Sequence, residues 1–160
     1  MIGWESFFIA EVGASAALLG LIFVGVSINL TRILSIPSLP NRALLALIML
    51  LTILVVSSLL LVPGQSLTLI GIELLVLGLL VWITATILDV TILQKRDPHY
   101  RSQYMLNMAL TQFAMLPYVV AGIFVLTRGT DGLYWLVPAI VISFIKAILD
   151  AWVLLVEINR

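Results

Sequence analysis

Long runs without charge constrain this chain more than any other feature. No Asp, Glu, Lys or Arg occurs from Ala43 to Val62 or from Gln103 to Thr127, and ~20 apolar residues in a helix suffice to cross ~30 Å of hydrocarbon. Three more runs of similar length carry isolated charges: about Phe7 to Leu30 with Glu11, Leu67 to Leu93 with Glu73 and Asp89, and Leu133 to Leu155 with Lys146 and Asp150. Charged residues make up 10% of the chain, against about 25% in a soluble domain, so the sequence cannot cover itself with a water-facing surface. The reading is an all-α polytopic membrane protein. Residues 1–160 form a single domain of five transmembrane helices at about 7–30, 43–62, 67–93, 103–127 and 133–155.

Punctuation between the runs supports that division. Pro63-Gly64 ends the second run, because Pro lacks a donor and Gly tolerates positive φ; Arg128-Gly-Thr-Asp-Gly132 separates the fourth from the fifth. Five crossings place Arg32, Arg42, Lys95, Arg96, Arg101 and Arg160 on one side and Arg128 on the other. Basic residues stay cytoplasmic during insertion, so the N-terminus is expected outside and the C-terminus inside. The first run reads as a permanent helix rather than a signal peptide, since Glu5 stands where a basic residue would be and the run exceeds an h-region. Trp4, Phe7, Phe8, Tyr134 and Trp135 fall at the expected outer interface, and Tyr100, Tyr104 and Trp152 near the inner one.

Helix association in lipid depends on close backbone approach. The first helix carries the densest set of small residues, Ala10, Gly13, Ala14, Ala17 and Gly20. Packing within the chain is the simpler expectation for this face; a seam between copies is the alternative. The strings Ile87-Leu88-Asp89 and Ile148-Leu149-Asp150 lie on the second members of two helical hairpins. They suggest a hairpin repeat, although chance also produces such matches in a chain this rich in Ile and Leu.

Ionisable side chains inside a bilayer are costly, and each is a functional candidate by default. Glu11, Glu73, Lys146 and Asp150 meet that description. Ser143, Lys146, Asp150 and Glu157 share one stripe at about 100° per residue, and Lys146 and Asp150 are spaced to pair as i, i+4 neighbours. That pair reads either as mutual neutralisation or as part of an ion or proton path. Tyr104, Asn107, Thr111, Met115 and Tyr118 form a facing stripe on the fourth helix, with Gln112 on a different face. Pro117 frees the carbonyl of Phe113 and bends that helix. Glu11 and Glu73 sit in the outer half, where two carboxyls can share a proton, hold a cation together or hydrogen-bond separately.

Several classes of chemistry are missing. Cys is absent and His99 is the single histidine, so neither a disulfide scaffold nor a thiolate or multi-histidine metal site is expected. No Gly-x-Ser-x-Gly elbow or phosphate-binding loop occurs, and no cofactor or catalysis is expected. Eight Lys+Arg balance eight Asp+Glu, leaving no basic excess for nucleic acid. Lys95, Arg96, His99 and Arg101 suit contact with anionic headgroups.

Two stretches carry a resemblance: Trp4-Glu-Ser-Phe-Phe through Glu11-Val-Gly-Ala-Ser-Ala-Ala to Gly25-Val-Ser-Ile-Asn29, and Tyr134-Trp-Leu-Val-Pro138 through Asp150-Ala-Trp to Asn159. They resemble a group of small, uncharacterised bacterial multi-span integral membrane proteins. The resemblance implies a bacterial cytoplasmic membrane and transfers no activity. The expectation is therefore a non-catalytic accessory, scaffold or modulator subunit, with the lipid bilayer and either a second copy or another membrane protein as partners. The alternative is a small oligomeric ion channel or proton-coupled transporter.

Overall fold

The structure is a computed structural model that describes residues 3–36, 39–94 and 101–158, with the backbone alone for residues 101–103, 157 and 158. Among the described residues there are helices and no strand. Five are long: α1 (Glu5–Ile28), α3 (Leu39–Leu60), α4 (Leu67–Gln94), α5 (Arg101–Arg128) and α6 (Leu136–Ile158); α2 (Leu30–Ser35) is short. Four continuous helical segments are long and apolar enough to cross a membrane: α1, α3, α4 and the stretch Tyr104–Val156. That last stretch covers most of α5 and α6, joined by a 3-10 helix over Gly129–Trp135.

Local chemistry sets the boundaries. Ile36 is extended, with φ −109 and ψ 117, because a residue preceding proline is pushed out of the helical region. The next helix starts at Leu39 rather than 43, since Pro40 falls in its first turn, where a missing N–H costs nothing. Gly64, at φ +77, turns the chain between α3 and α4. Ser66 then caps α4: its hydroxyl accepts from the Leu69 amide at 3.2 Å. Gly129, at φ +69, starts the tighter winding that displaces the start of α6 to Leu136.

Helices α3, α4, α5 and α6 close a ring, each packed on its neighbours, and α1 lies outside against α3. Within its most apolar window α1 is 11% buried and α3 is 56% buried, so α3 is central and α1 peripheral. The exposed side of α4 is apolar, with Ile72, Val76, Leu80, Ile83 and Ile87 open, as a lipid-facing helix requires. The core runs through Leu45, Met49, Ile53, Leu74, Met115, Leu136 and Ile140.

The tightest approach is between α4 and α5. A Cβ on Gly122 would lie 2.6 Å from the Leu75 nitrogen, one on Gly71 2.7 Å from the Leu126 side chain, and one on Gly78 3.0 Å from the Val119 nitrogen. Residue numbers rise along one helix as they fall along the other, so the two are antiparallel. Gly132 does the same where the 3-10 helix folds onto α5, its Cβ position being 2.3 Å from the Val125 nitrogen. Gly122→Ala should therefore lower stability by about 1–3 kcal/mol through overpacking. Gly25→Ala, where a Cβ meets nothing within 4 Å, should be neutral or raise it by up to about 1 kcal/mol. Thermal midpoints in one detergent compare the two.

Candidate functional site: a polar line inside the bundle

On α6 the stripe Ser143, Lys146 and Asp150 faces inward, with exposures of 0%, 2% and 1%. The Lys146 ammonium donates to Asp150 Oδ2. One turn separates the two residues, and the carboxylate neutralises an ammonium that water does not reach. Glu157, expected on the same stripe, lies outside the residues whose side chains are described.

The facing stripe of α5 is buried progressively: Tyr104 and Asn107 are half-buried, and Thr111, Met115 and Tyr118 are buried. Tyr118 Oη donates to Ser143 Oγ at 3.4 Å, which joins the two stripes. Thr111 Oγ1 lies 3.2 Å from the Asn107 carbonyl. Pro117 sits inside a continuous α5, and Phe113, whose carbonyl it frees, is on the exposed side. The freed carbonyl thus belongs to a residue off this line.

The structure adds two residues to the site. Asp89 of α4 is 4% exposed; its carboxyl lies near the Thr111 hydroxyl and within electrostatic reach of Lys146, Asp150 and Arg42. Its Oδ2 is buried without a hydrogen-bond partner among the described residues. Arg42, counted with the loop in the sequence, stands in the first turn of α3. Its guanidinium lies over the Tyr104 ring at 5.4 Å, and its Nε is also buried without a hydrogen-bond partner among the described residues. The signal for Asp89 was its string shared with Asp150: both aspartates of that string enter one network.

The other expected residues are distributed differently. Gln112 bridges α5 to α4, accepting from Trp82 Nε1 and donating to Thr86 Oγ1 at 3.2 Å. Both ends of its amide are satisfied, and it holds helices together. Glu73 accepts from Gln65 Nε2 at 3.2 and 3.3 Å. Glu11 is half-buried, has Oε2 buried without a hydrogen-bond partner among the described residues, and lies within electrostatic reach of Tyr118. Among the described residues no hydrogen bond joins Glu11 to Glu73. Lys95, Arg96 and His99 lie outside the described residues.

The small-residue face of α1 is placed opposite to the simpler expectation. Ala10, Gly13, Ala14, Ala17 and Gly20 are all exposed, and a Cβ on Gly13 or Gly20 would meet nothing within 4 Å. The inward side is taken by Phe8 and Ser15, flanked by Phe7, Leu18 and Ile22, because larger side chains fill the gap to α3. Close approach within the chain uses Gly71, Gly78 and Gly122 instead.

Among the described residues no group of three or more His, Cys, Asp or Glu is placed to hold a metal ion. A cleft of about 530 Å³ opens near Trp4, Phe8, Pro63, Gln65 and Thr130, away from the interior charges. No family model, no curated protein and no solved structure matches the chain.

Removing one member of a buried ion pair leaves an uncompensated charge, which costs about 3–5 kcal/mol, whereas an apolar replacement of both is often neutral. Lys146→Met should therefore unfold at a much lower temperature than wild type. The double variant Lys146→Met/Asp150→Leu should recover most of the difference.

Proposed function

We propose that the protein is a multi-pass, non-catalytic accessory, scaffold or modulator subunit of the bacterial cytoplasmic membrane that works by lateral association through α1. One observation carries this reading: the small-residue side of α1 is exposed and, among the described residues, meets no partner helix. In lipid, where apolar side chains gain nothing by leaving the solvent, surfaces that admit close backbone approach are the ones that select a partner. The assignment to a bacterial membrane rests on the resemblance of the two terminal stretches.

Association is tested by disulfide trapping in native membranes, which is clean because the chain has no cysteine of its own. Cysteines replacing Gly13 or Ala17 should cross-link to a second copy or to another membrane protein, and Ala14→Leu should abolish the product. A chain that stays monomeric and yields no product from either position overturns the reading.

Orientation rests on the bias of basic residues and is tested separately. Cysteines at Gly3 and Thr130 should react with an impermeant maleimide in intact spheroplasts, and one at Pro98 only after lysis. The reverse pattern places the N-terminus inside.

A further inference from the structure

The cleft of about 530 Å³ lies at the end of the bundle where α1 begins and α3 gives way to α4, and its volume is that of a small-molecule site. The groups around it are of one chemical kind. Among the described residues that line it, Glu5 alone is charged, and it is exposed. One wall is the C-terminus of α3, at Leu60, Leu61 and Val62. Val62 is the last residue there to donate back, to the Leu59 carbonyl at 3.1 Å. Pro63 has no N–H, and among the described residues no amide of the turn answers the carbonyls of Leu60, Leu61 and Val62. Such carbonyls form the negative end of a helix. Gln65 spends its amide donors on Glu73, at 3.2 and 3.3 Å, which leaves its acceptor Oε1 without a hydrogen-bond partner among the described residues and sets a second carboxylate behind the wall. Trp4 lines the cleft as well and is held in place by stacking on Phe8. The start of α4 borders it at Leu67, but Ser66 Oγ already takes the Leu69 amide, so the positive end of that helix is partly answered.

We propose that this cleft binds a primary ammonium group. Glu5 supplies the counter-charge, the α3 carbonyls receive N–H donors, and the Trp4 ring attracts the cation through its π face. Acceptors dominate the lining, so a ligand that answers them has to bring donors together with positive charge; an ammonium of the R–NH3 type carries three donors and no acceptor. A quaternary ammonium has the charge but no N–H and leaves the carbonyls unanswered. In a bundle that spans a bilayer, this end lies at headgroup depth, where amphipathic aromatics such as Trp4 collect. An aminophospholipid headgroup and a small water-soluble amine share the required chemistry, and they differ in whether acyl chains accompany the amine.

The test is titration calorimetry of the full chain in a maltoside detergent with three probes: dihexanoyl phosphatidylethanolamine, dihexanoyl phosphatidylglycerol, which keeps the chains and the phosphate but lacks the amine, and free ethanolamine. Wild-type protein should bind at least one of the two amines saturably, and phosphatidylglycerol more weakly. Tighter binding of phosphatidylethanolamine than of ethanolamine assigns the site to a lipid headgroup; ethanolamine bound as tightly or more so assigns it to a soluble amine. Glu5→Gln and Trp4→Leu should each weaken amine binding about threefold, the scale of an exposed charge pair or a cation–π contact. Asp131→Asn, which removes an exposed carboxylate next to Thr130 that does not line the cleft, should bind as wild type. Glu5 is exposed and its replacement keeps the side-chain shape, so Glu5→Gln decides the matter where Trp4→Leu does not fold. Failure of both amines to bind overturns the site, as does phosphatidylglycerol bound as tightly as the amines, a folded Glu5→Gln or Trp4→Leu protein with wild-type affinity, or equal weakening by Asp131→Asn. The proposal goes beyond lateral association and is read independently of it, since cross-linking through α1 does not report amine binding.

Discussion

Close backbone contact between α4 and α5 is the constraint on which the rest of the structure depends. Three glycines, Gly71, Gly78 and Gly122, remove the side chains that would hold these helices apart. Dispersion falls steeply with distance, and in lipid no hydrophobic term compensates for a loose fit. Once the helices touch, Gln112 reaches Trp82 and Thr86, and Thr111 reaches Asp89. A side chain inserted at Gly122 would therefore disturb both the helix contact and the polar line that this contact assembles.

Within that frame the buried charges are costly to retain. A neutral core of the same volume is often at least as stable as one holding an ion pair, so a requirement for stability alone does not account for Lys146 and Asp150. Asp89 adds a second carboxyl to the same region and, among the described residues, has no cation in hydrogen-bond contact. Arg42, a further cation within electrostatic reach, rests on an aromatic ring instead. Among the described residues this leaves one acceptor and one donor, Asp89 Oδ2 and Arg42 Nε, both buried and both unanswered.

Much of the architecture was legible because the bilayer length scale leaves few readings of uninterrupted apolar runs. The expected helix at 67–93 corresponds to Leu67–Gln94, and 103–127 to Arg101–Arg128. Lys146, Asp150 and the facing stripe of α5 followed from helical periodicity, which is a property of one helix at a time. Asp89 and Arg42 belong to the site through contacts between helices, and periodicity does not rank those. The α1 face shows the same limit from the other side. Small residues at regular spacing mark a surface able to pack closely but not the direction it faces, and the glycines of α4 and α5 were sparser in sequence yet face each other.

Helix α1 is fastened at both ends and open between them. At one end Trp4 stacks on Phe8 and meets Phe7 and Tyr134 edge-on; at the other, α2 buries Ile33 with Leu39, Ala43 and Leu154. A segment tied down in this way is a strap whose middle is held in position by anchors that lie elsewhere. A helix arriving against Ala14 and Ala17 displaces lipid and nothing else, so neither fastening has to open and little ordering entropy is lost on contact. The bundle behind the strap can keep its internal hydrogen bonds unchanged while the strap is occupied, which separates what the protein touches from what it holds inside.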